Sequence, residues 1–148
     1  MTTVIKAIFW DLDGTLVDSE LIHEQAAFFA TRELGFVSAV EIIPAGLENL
    51  AVFELMLGQA LSLDNQALFA RWEQLAIEYA LARISPQQQI KQSLELFNYF
   101  ASLGLPQAVV SNSTAPLVRH SLQQLGILEH CSQIFSRDSV EFGKPHPQ

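Results

Sequence analysis

The fold is decided by residues 4–19, which read VIKAIFWDLDGTLVDS. Val4 to Trp10 form a short apolar run rich in residues that favour β-structure, which predicts a buried strand. The run ends abruptly at Asp11, where a polar loop containing Asp13 and Gly14 begins. Because the strand is apolar on both faces, it is typical of a parallel sheet that is covered by helices.

Outside that stretch, the chain divides into a purely helical part and a part where strands and helices alternate. Apolar residues at helical spacing predict three helices, over about residues 19–34, 48–60 and 64–83. Beyond them we predict a helix over 86–103, a strand over 107–111, a helix over 114–125 with a hydroxyl cap at Thr114, and a strand over 134–136. The sequence therefore predicts an α/β fold. Its Rossmann-like parallel-sheet core, incomplete with about three strands, would take residues 1–16 and 85–148, and residues 17–84 would be an inserted α-helical cap.

The composition limits the kinds of partner that we expect. The chain has 148 residues, of which 49% are hydrophobic and 16% charged, enough to fill a packed core. The formal net charge of −8 argues against nucleic-acid binding, which needs a basic surface. We find no secretory signal and no apolar run near the roughly 20 residues that span a bilayer, so we expect a cytoplasmic protein with no membrane partner. The single cysteine, Cys131, is predicted to be a small buried or half-buried side chain without a catalytic role.

Polar side chains follow the predicted strands at their carboxyl ends. Asp11 and Asp13 follow the first strand, Ser111 and Asn112 end the second, and Lys144 lies in the loop after the third. Ligands of open α/β sheets bind outside the carboxyl ends of the strands, so we expect these residues to meet there.

These residue types suit phosphoryl transfer. A carboxylate nucleophile can split the transfer to water into two steps, and a second carboxylate can protonate the leaving oxygen and later activate water. Mg²⁺ favours carboxylate oxygens and water as ligands. Ser111 offers a hydroxyl donor and Lys144 a positive charge for the phosphoryl oxygens.

The motifs resemble those of a known family. Residues 11–19 (DLDGTLVDS) resemble the first motif of the haloacid dehalogenase superfamily, residues 109–113 (VVSNS) its second, and residues 143–147 (GKPHP) its third. The helical stretch between the first two resembles the cap of the phosphoglycolate-phosphatase and β-phosphoglucomutase branch. The resemblance covers the whole chain and implies an Mg²⁺-dependent phosphatase that forms an aspartyl-phosphate. Its substrate would be a small phosphorylated metabolite, either a sugar phosphate or a phosphoglycolate-like compound.

The resemblance also implies roles for individual residues. Asp11 would be the nucleophile and an Mg²⁺ ligand, and Asp13 would be the general acid and base and lend its carbonyl to the metal. Ser111 and the backbone around Asn112 would hold the phosphoryl oxygens, while Lys144 would pair with Asp11 and with the phosphoryl group. Because dehalogenases of this superfamily lack the second acid, Asp13 favours a phosphate ester over a haloacid.

The sequence leaves the role of His23 open and favours a structural role for Asp18. His23 matches a position that faces the substrate in some cap-bearing relatives, and it could equally be a surface residue of the first cap helix. Asp18 is interpreted as a residue that hydrogen-bonds within its loop.

The sequence departs from the family after Lys144. The family's fourth motif supplies further acids for Mg²⁺, whereas Asp138 and Glu141 come before Lys144 and do not match it. We therefore expect either a truncated product or a fragment, with weak Mg²⁺ binding and little activity by itself. An inactive remnant of such a hydrolase is the alternative, and the helical insert argues against a phospho-accepting receiver domain. The first strand would be an exposed apolar edge through which the chain could self-associate.

Overall fold

The computed structural model of the protein describes residues 5–146. Its sheet has three parallel strands, β1 (Ile8–Trp10), β2 (Gln107–Val110) and β3 (Gln133–Phe135), in the order β1-β2-β3. Five helices accompany it within the described residues: α1 (Glu20–Glu33), α2 (Asn49–Leu57), α3 (Gln66–Leu81), α4 (Lys91–Ser102) and α5 (Ala115–Gln124). The predicted α/β fold with a Rossmann-like parallel sheet is confirmed.

The described residues fall into two compact units. One contains β1, the loop up to Ser19 and everything from Ile84 onward, and the other is Glu20–Arg83. Val4 of the predicted first strand and Pro147 of the third motif lie outside the described residues.

The sheet belongs to the first unit, and its register aligns the carboxyl ends of the strands. Trp10 lies beside Val109, and Val109 lies beside Ile134. The loop that follows Trp10 therefore begins at the level of Val110. This register carries the polar residues after β1 and β2 to the same edge of the sheet.

The first strand is shorter and less buried than predicted. It begins at Ile8, and residues 5–7 are not part of it. Trp10 is buried, with its ring 5.7 Å from that of Phe97 on α4, and it donates a 2.8 Å hydrogen bond to the Oε1 of Gln107. Phe9, which points to the opposite face, is 70% exposed. The expectation of burial on both faces is thus wrong for β1, because α4 packs on the side of Trp10 while the face of Phe9 stays open within the described part of the chain.

The predicted helix over residues 86–103 is also wrong in its first part. Residues Pro86–Gln88 form a separate 3₁₀ turn, and a capping box between Ser85 and Gln88 satisfies its N-terminal end. Gln89 is extended and bridges Val17, and the flanking N–H groups at residues 18 and 90 bond across to Gln88 and Leu16. The backbone of 88–90 is therefore engaged with the first motif, and α4 begins only at Lys91.

The second unit is helical and has an aromatic core. Trp72 and Phe53 are fully buried, with ring centroids 5.7 Å apart, and Phe69 packs on both. The indole N–H of Trp72 donates to Thr31, whose own hydroxyl donates to the carbonyl of Ala27 on α1. These bonds satisfy the polar atoms that the helix packing buries. Among the described residues, every helix is too short or too polar to cross a membrane.

Candidate active site

The loop after β1 is anchored by its apolar residues. Leu12, Leu16 and Val17 are completely buried, and the carbonyl of Leu12 accepts the N–H groups of residues 15–17 at 2.8–3.1 Å. Gly14 has a φ of 73°, a left-handed conformation that glycine adopts without strain, and its N–H reaches the carbonyl of Val17. The motif thus folds into a tight turn held by backbone bonds and by burial, which gives the two acidic residues a fixed support.

Asp11 has one engaged and one available carboxylate oxygen. Its Oδ1 accepts hydrogen bonds from Lys144 Nζ at 2.6 Å and from the N–H of Leu12 at 2.8 Å. Its Oδ2 has no hydrogen-bond partner among the described residues, and the side chain is 48% exposed. Asp11 therefore offers solvent an oxygen that can attack an electrophile or bind a cation, next to a fixed positive charge.

Lys144 is held at both its head and its backbone. Its ammonium donates to Asp11 and, at 3.0 Å, to the carbonyl of Val110 at the end of β2. An ammonium has three hydrogens, so one is left without an acceptor in the described part of the chain. The N–H of Lys144 donates to Asn112 Oδ1 at 2.8 Å, and Asn112 Nδ2 donates to the carbonyl of Lys144 at 3.1 Å. The free hydrogen can point to an anion that lies beside Asp11.

Asp13 is surrounded by hydroxyl groups. Its Oδ1 accepts a 2.5 Å bond from Ser19, and its Oδ2 accepts bonds from Ser111 at 3.2 Å and from Ser113 at 2.8 Å. Ser19 and Ser111 are buried, and the Oγ of Ser111 also accepts the N–H of Ser113. Hydrogen bonds to an ionised carboxylate are short and strong, so these hydroxyls fix the position of the second acid.

The structure therefore brings together five of the six predicted site residues. Asp11, Asp13, Ser111, Asn112 and Lys144 lie at the carboxyl ends of β1 and β2 and in the loop that follows β3. The sixth, His23, is a half-buried residue of α1 in the other unit.

Sequence reasoning missed two of the serines that hold Asp13. Ser19 and Ser113 both fall inside the quoted motifs, so the signal was present. Only the folded loop shows that these hydroxyls turn towards Asp13.

Asp138 accepts a hydrogen bond from the start of α5. Asp138 accepts the N–H of Ala115, at 3.0 and 3.1 Å, at the first turn of α5. Partial burial raises the pKa of Asp138, but hydrogen bonds from Ser136 and Ala115 and the charge of Arg137 outweigh this and lower it. Glu141 is exposed. Asp138 thus serves the start of α5.

Two smaller predictions from the sequence have different outcomes. Thr114 precedes α5 as predicted, but its hydroxyl makes no capping bond and is buried without a hydrogen-bond partner among residues 5–146. Asp138 has taken the capping role. The prediction that Asp18 hydrogen-bonds within its loop is not confirmed in residues 5–146: its N–H bonds to the carbonyl of Gln88, and its side chain is exposed.

The site offers carboxylate oxygen, a kind of ligand that Mg²⁺ prefers. The described residues contain no group of three or more acidic, histidine or cysteine side chains that could enclose a metal. Mg²⁺ in phosphoryl-transfer sites is commonly bound through one or two carboxylates, substrate phosphate and water. The exposed carboxylate of Asp11, with its available oxygen, has that chemistry.

Comparisons with known proteins identify the family of the chain. The family model of haloacid dehalogenase-like hydrolases matches residues 5–148. The phosphoglycolate phosphatase of Yersinia pseudotuberculosis is 31% identical over 147 residues, covering 97% of this chain and 63% of its own length. The 6-phosphogluconate phosphatase of Escherichia coli K12 is 29% identical, over 97% of this chain and 64% of its own. The chain therefore spans slightly less than two thirds of these curated relatives.

Solved structures share the fold. CbbY from Rhodobacter sphaeroides, in complex with phosphate, superposes with a TM-score of 0.77 at 20% identity, over 97% of this chain and 68% of its own. β-Phosphoglucomutase from Clostridium difficile gives a TM-score of 0.75 at 18% identity, over 97% of this chain and 67% of its own. With the family match over nearly its whole length, the chain belongs to the haloacid dehalogenase-like hydrolases.

Proposed function

We propose that this chain carries the nucleophile, the general acid and base, and the phosphate-binding lysine of an Mg²⁺-dependent phosphatase. The observation that carries the proposal is Asp11, whose Oδ1 is fixed by Lys144 while its Oδ2 remains available. The relatives named as phosphatases support it, since the names of two curated matches specify phosphoglycolate and 6-phosphogluconate as substrates.

The first half of the reaction would displace the alcohol from the phosphate ester. Oδ2 of Asp11 forms a bond to phosphorus as the bond to the ester oxygen breaks, which gives an aspartyl-phosphate. The free hydrogen on Lys144 Nζ stabilises charge on a phosphoryl oxygen. Ser111 Oγ becomes a second donor when its single hydrogen turns from Asp13 to the phosphoryl group. The departing oxygen takes its proton from Asp13, whose protonated form can be held when a neighbouring hydroxyl such as Ser113 rotates to accept.

The second half would return the enzyme to its starting state. Asp13, now ionised, removes a proton from water as the water oxygen attacks phosphorus, and the bond from Asp11 to phosphorus breaks. Phosphate is released and Asp13 has regained its proton. The carboxylate of Asp11 and the carbonyl of Asp13 would hold Mg²⁺, which supplies positive charge for the phosphoryl group.

The substrate class that we propose is a small phosphorylated metabolite, a sugar phosphate or a phosphoglycolate-like compound. The net charge of −8 and the narrow group of donors around Asp11 fit a small anion better than a polyanion. We also propose that residues 17–84 are an inserted helical cap domain and that residues 1–16 and 85–148 are the core, supported by the separate compact unit Glu20–Arg83. His23 is proposed as a substrate-binding residue, and a surface role is the alternative.

The inactive remnant is a second proposal, favoured by one observation. Residues 5–146 contain no group of three or more acidic, histidine or cysteine side chains that could hold a metal ion. The same experiment decides between the two: phosphate release from phosphoglycolate, 6-phosphogluconate and p-nitrophenyl phosphate, with Mg²⁺ and with EDTA. Release that needs Mg²⁺ and disappears in Asp11→Asn supports the phosphatase, and no release from any of these compounds supports the remnant.

A further inference from the structure

The side chain of Asn112 is bound to the peptide backbone of Lys144 at both its polar atoms. Oδ1 accepts the N–H of Lys144 at 2.8 Å, and Nδ2 donates to its carbonyl at 3.1 Å. The two residues are 32 positions apart, so the pair joins the end of β2 to the loop after β3. A carboxamide has one acceptor oxygen and two N–H donors, so this pairing uses its oxygen and half of its donors.

The clamp has a consequence for the head of the lysine. Lys144 Nζ also donates to the carbonyl of Val110, two residues before Asn112. Backbone and ammonium are thus fixed to one short segment, residues 110–112. The register of the sheet places that segment beside Asp11. The lysine is therefore held next to Asp11 at two points: its peptide is bound to Asn112, and its ammonium is bound to the carbonyl of Val110.

The ion pair between Lys144 and Asp11 would not by itself hold the lysine in a fixed position. The side chains of Lys144 and Asp11 are 38% and 48% exposed, and ion pairs of that exposure contribute little, because water screens them and both side chains lose freedom. The neighbours of Lys144 in the loop add little burial, since Pro145 and His146 are exposed. The two bonds to Asn112 are then the contacts that fix its backbone.

We propose that Asn112 is a positioning residue: its carboxamide holds the Lys144 peptide so that the ammonium stays between Asp11 and Val110. The catalytic importance of this clamp rests on the proposed phosphatase function, whereas the clamp can be tested without it. The sequence assigned Asn112 to substrate binding through its backbone, and the side-chain role is additional.

The test is an NMR measurement on protein with ¹³C-labelled lysine. The chain has only three lysines, Lys6, Lys91 and Lys144, so the Cε region holds three signals. The two Hε protons of a held lysine have different shifts, and rotation averages them in a mobile one. We expect resolved Hε shifts for Lys144 in the wild type and a single averaged shift in Asn112→Ala. Hydrogen exchange of the Lys144 amide should rise roughly 3- to 10-fold in the variant.

The matched control is Asn98→Ala, since Asn98 is an exposed asparagine of α4. It should leave all three lysine signals unchanged. Asn112→Asp keeps the oxygen that accepts the N–H but places a second oxygen against the Lys144 carbonyl, so it too should release the lysine. Resolved Lys144 Hε shifts that persist in Asn112→Ala would overturn the proposal. If the separation of the shifts is lost only in Asn112→Asp, the added charge is the cause, and the proposal is again wrong.

These spectra are recorded without substrate, so they separate the two proposals. If the Lys144 Hε shifts become averaged in Asn112→Ala but Asp11→Asn still hydrolyses phosphate esters, the positioning role of Asn112 is supported and the proposed mechanism is wrong. If the enzyme is active as proposed, Asn112→Ala should lower kcat by about 10-fold or more with a smaller change in KM, since positioning acts on the transition state.

Discussion

The ammonium nitrogen of Lys144 lies 2.6 Å from Oδ1 of Asp11, although the two residues are 133 positions apart in the chain. The parallel register explains the meeting. Trp10 pairs with Val109, so Asp11 emerges at the level of Val110, whose carbonyl accepts the second hydrogen of the same ammonium. The lysine therefore bridges the ends of two adjacent strands, and one of its hydrogens and one oxygen of Asp11 remain without a hydrogen-bond partner among residues 5–146.

Replacing Asp11 by Asn should abolish any phosphate release. An amide is a poor nucleophile and a neutral metal ligand, so we expect a loss of at least ~10³-fold in kcat. The matched control is Asp18→Asn, because Asp18 lies in the same loop with an exposed side chain and should leave activity unchanged. The measurement is phosphate release with Mg²⁺ present. Full turnover in Asp11→Asn would rule out this carboxylate as the nucleophile.

Replacing Lys144 by Met should separate activity from stability. The exposed ion pair with Asp11 stabilises the fold by only about 0–1 kcal/mol, so the melting temperature should change by less than about 5 °C. Phosphate release should nevertheless fall by about 10²-fold or more, because the ammonium acts on charge in the transition state. Lys91→Met, at an exposed position of α4, serves as the control in both assays. A large drop in melting temperature would show that Lys144 is mainly structural.

The meeting of the strand ends could be predicted from the sequence, but the bonds made there could not. Asp11, Ser111 and Lys144 each follow a β-strand pattern, and the rule that ligands bind at carboxyl ends of parallel strands brings them together. The bonds from Ser19 and Ser113 to Asp13 depend on how two tight loops turn their hydroxyls. Loop geometry of that kind produces no periodic pattern of residues from which it could be predicted.

The same limit explains the errors in the fold. Pro86 is a good first residue for a helix, but tertiary pairing of Gln89 with Val17 interrupts it. Thr114 has a suitable cap hydroxyl, yet Asp138, from a distant turn, reaches the start of α5 instead. Local patterns located the elements, and contacts between distant segments decided where they begin.

Cys131 should react slowly with thiol reagents in the folded protein. Burial raises the pKa of its thiol from 9.0 to about 11. Because each unit of pKa reduces the thiolate tenfold at neutral pH, the folded protein holds roughly 100-fold less thiolate than the unfolded chain. Labelling with Ellman's reagent at pH 7.5 should slow by about that factor relative to protein in urea. Equal rates in the two states would show that the thiol is accessible and ordinary.

Replacing Asp138 by Ala should destabilise the protein in a manner that depends on pH. The loss of the acceptor for Ala115 at the start of α5 should cost about 1 kcal/mol near neutral pH. Hydrogen bonds lower the folded pKa of Asp138 below its ordinary value of 3.8, so the unfolded chain binds the proton more readily. Its electrostatic stabilisation is therefore present above 3.8 and is lost as the pH falls through the lower folded pKa.

Urea unfolding of the wild type and of Asp138→Ala across acidic and neutral pH measures this difference. The two curves should converge at low pH and separate above the ordinary carboxyl pKa. Asp64→Ala, which removes an exposed acid from a 3₁₀ turn of the second unit, should show no such separation. A difference that does not depend on pH would mean that the charge of Asp138 contributes nothing.

Replacing Phe9 by Lys should reduce self-association of the 148-residue chain. In the described sheet β1 is an edge strand, and Phe9 on it is 70% exposed. An apolar edge can pair with a second copy, and a lysine there opposes pairing because its charge would have to lose water. Sedimentation velocity over a range of concentrations should therefore show association in the wild type and a shift towards monomer in the variant.

Leu63→Lys provides the control that isolates the strand edge. Leu63 is 85% exposed on a 3₁₀ turn outside the sheet, so this substitution adds the same charge and removes another largely exposed apolar side chain. If general hydrophobicity drives association, Leu63→Lys should reduce it about as much as Phe9→Lys. If β1 is the contact, only Phe9→Lys should act. A wild-type chain that stays monomeric at every concentration would contradict self-association altogether.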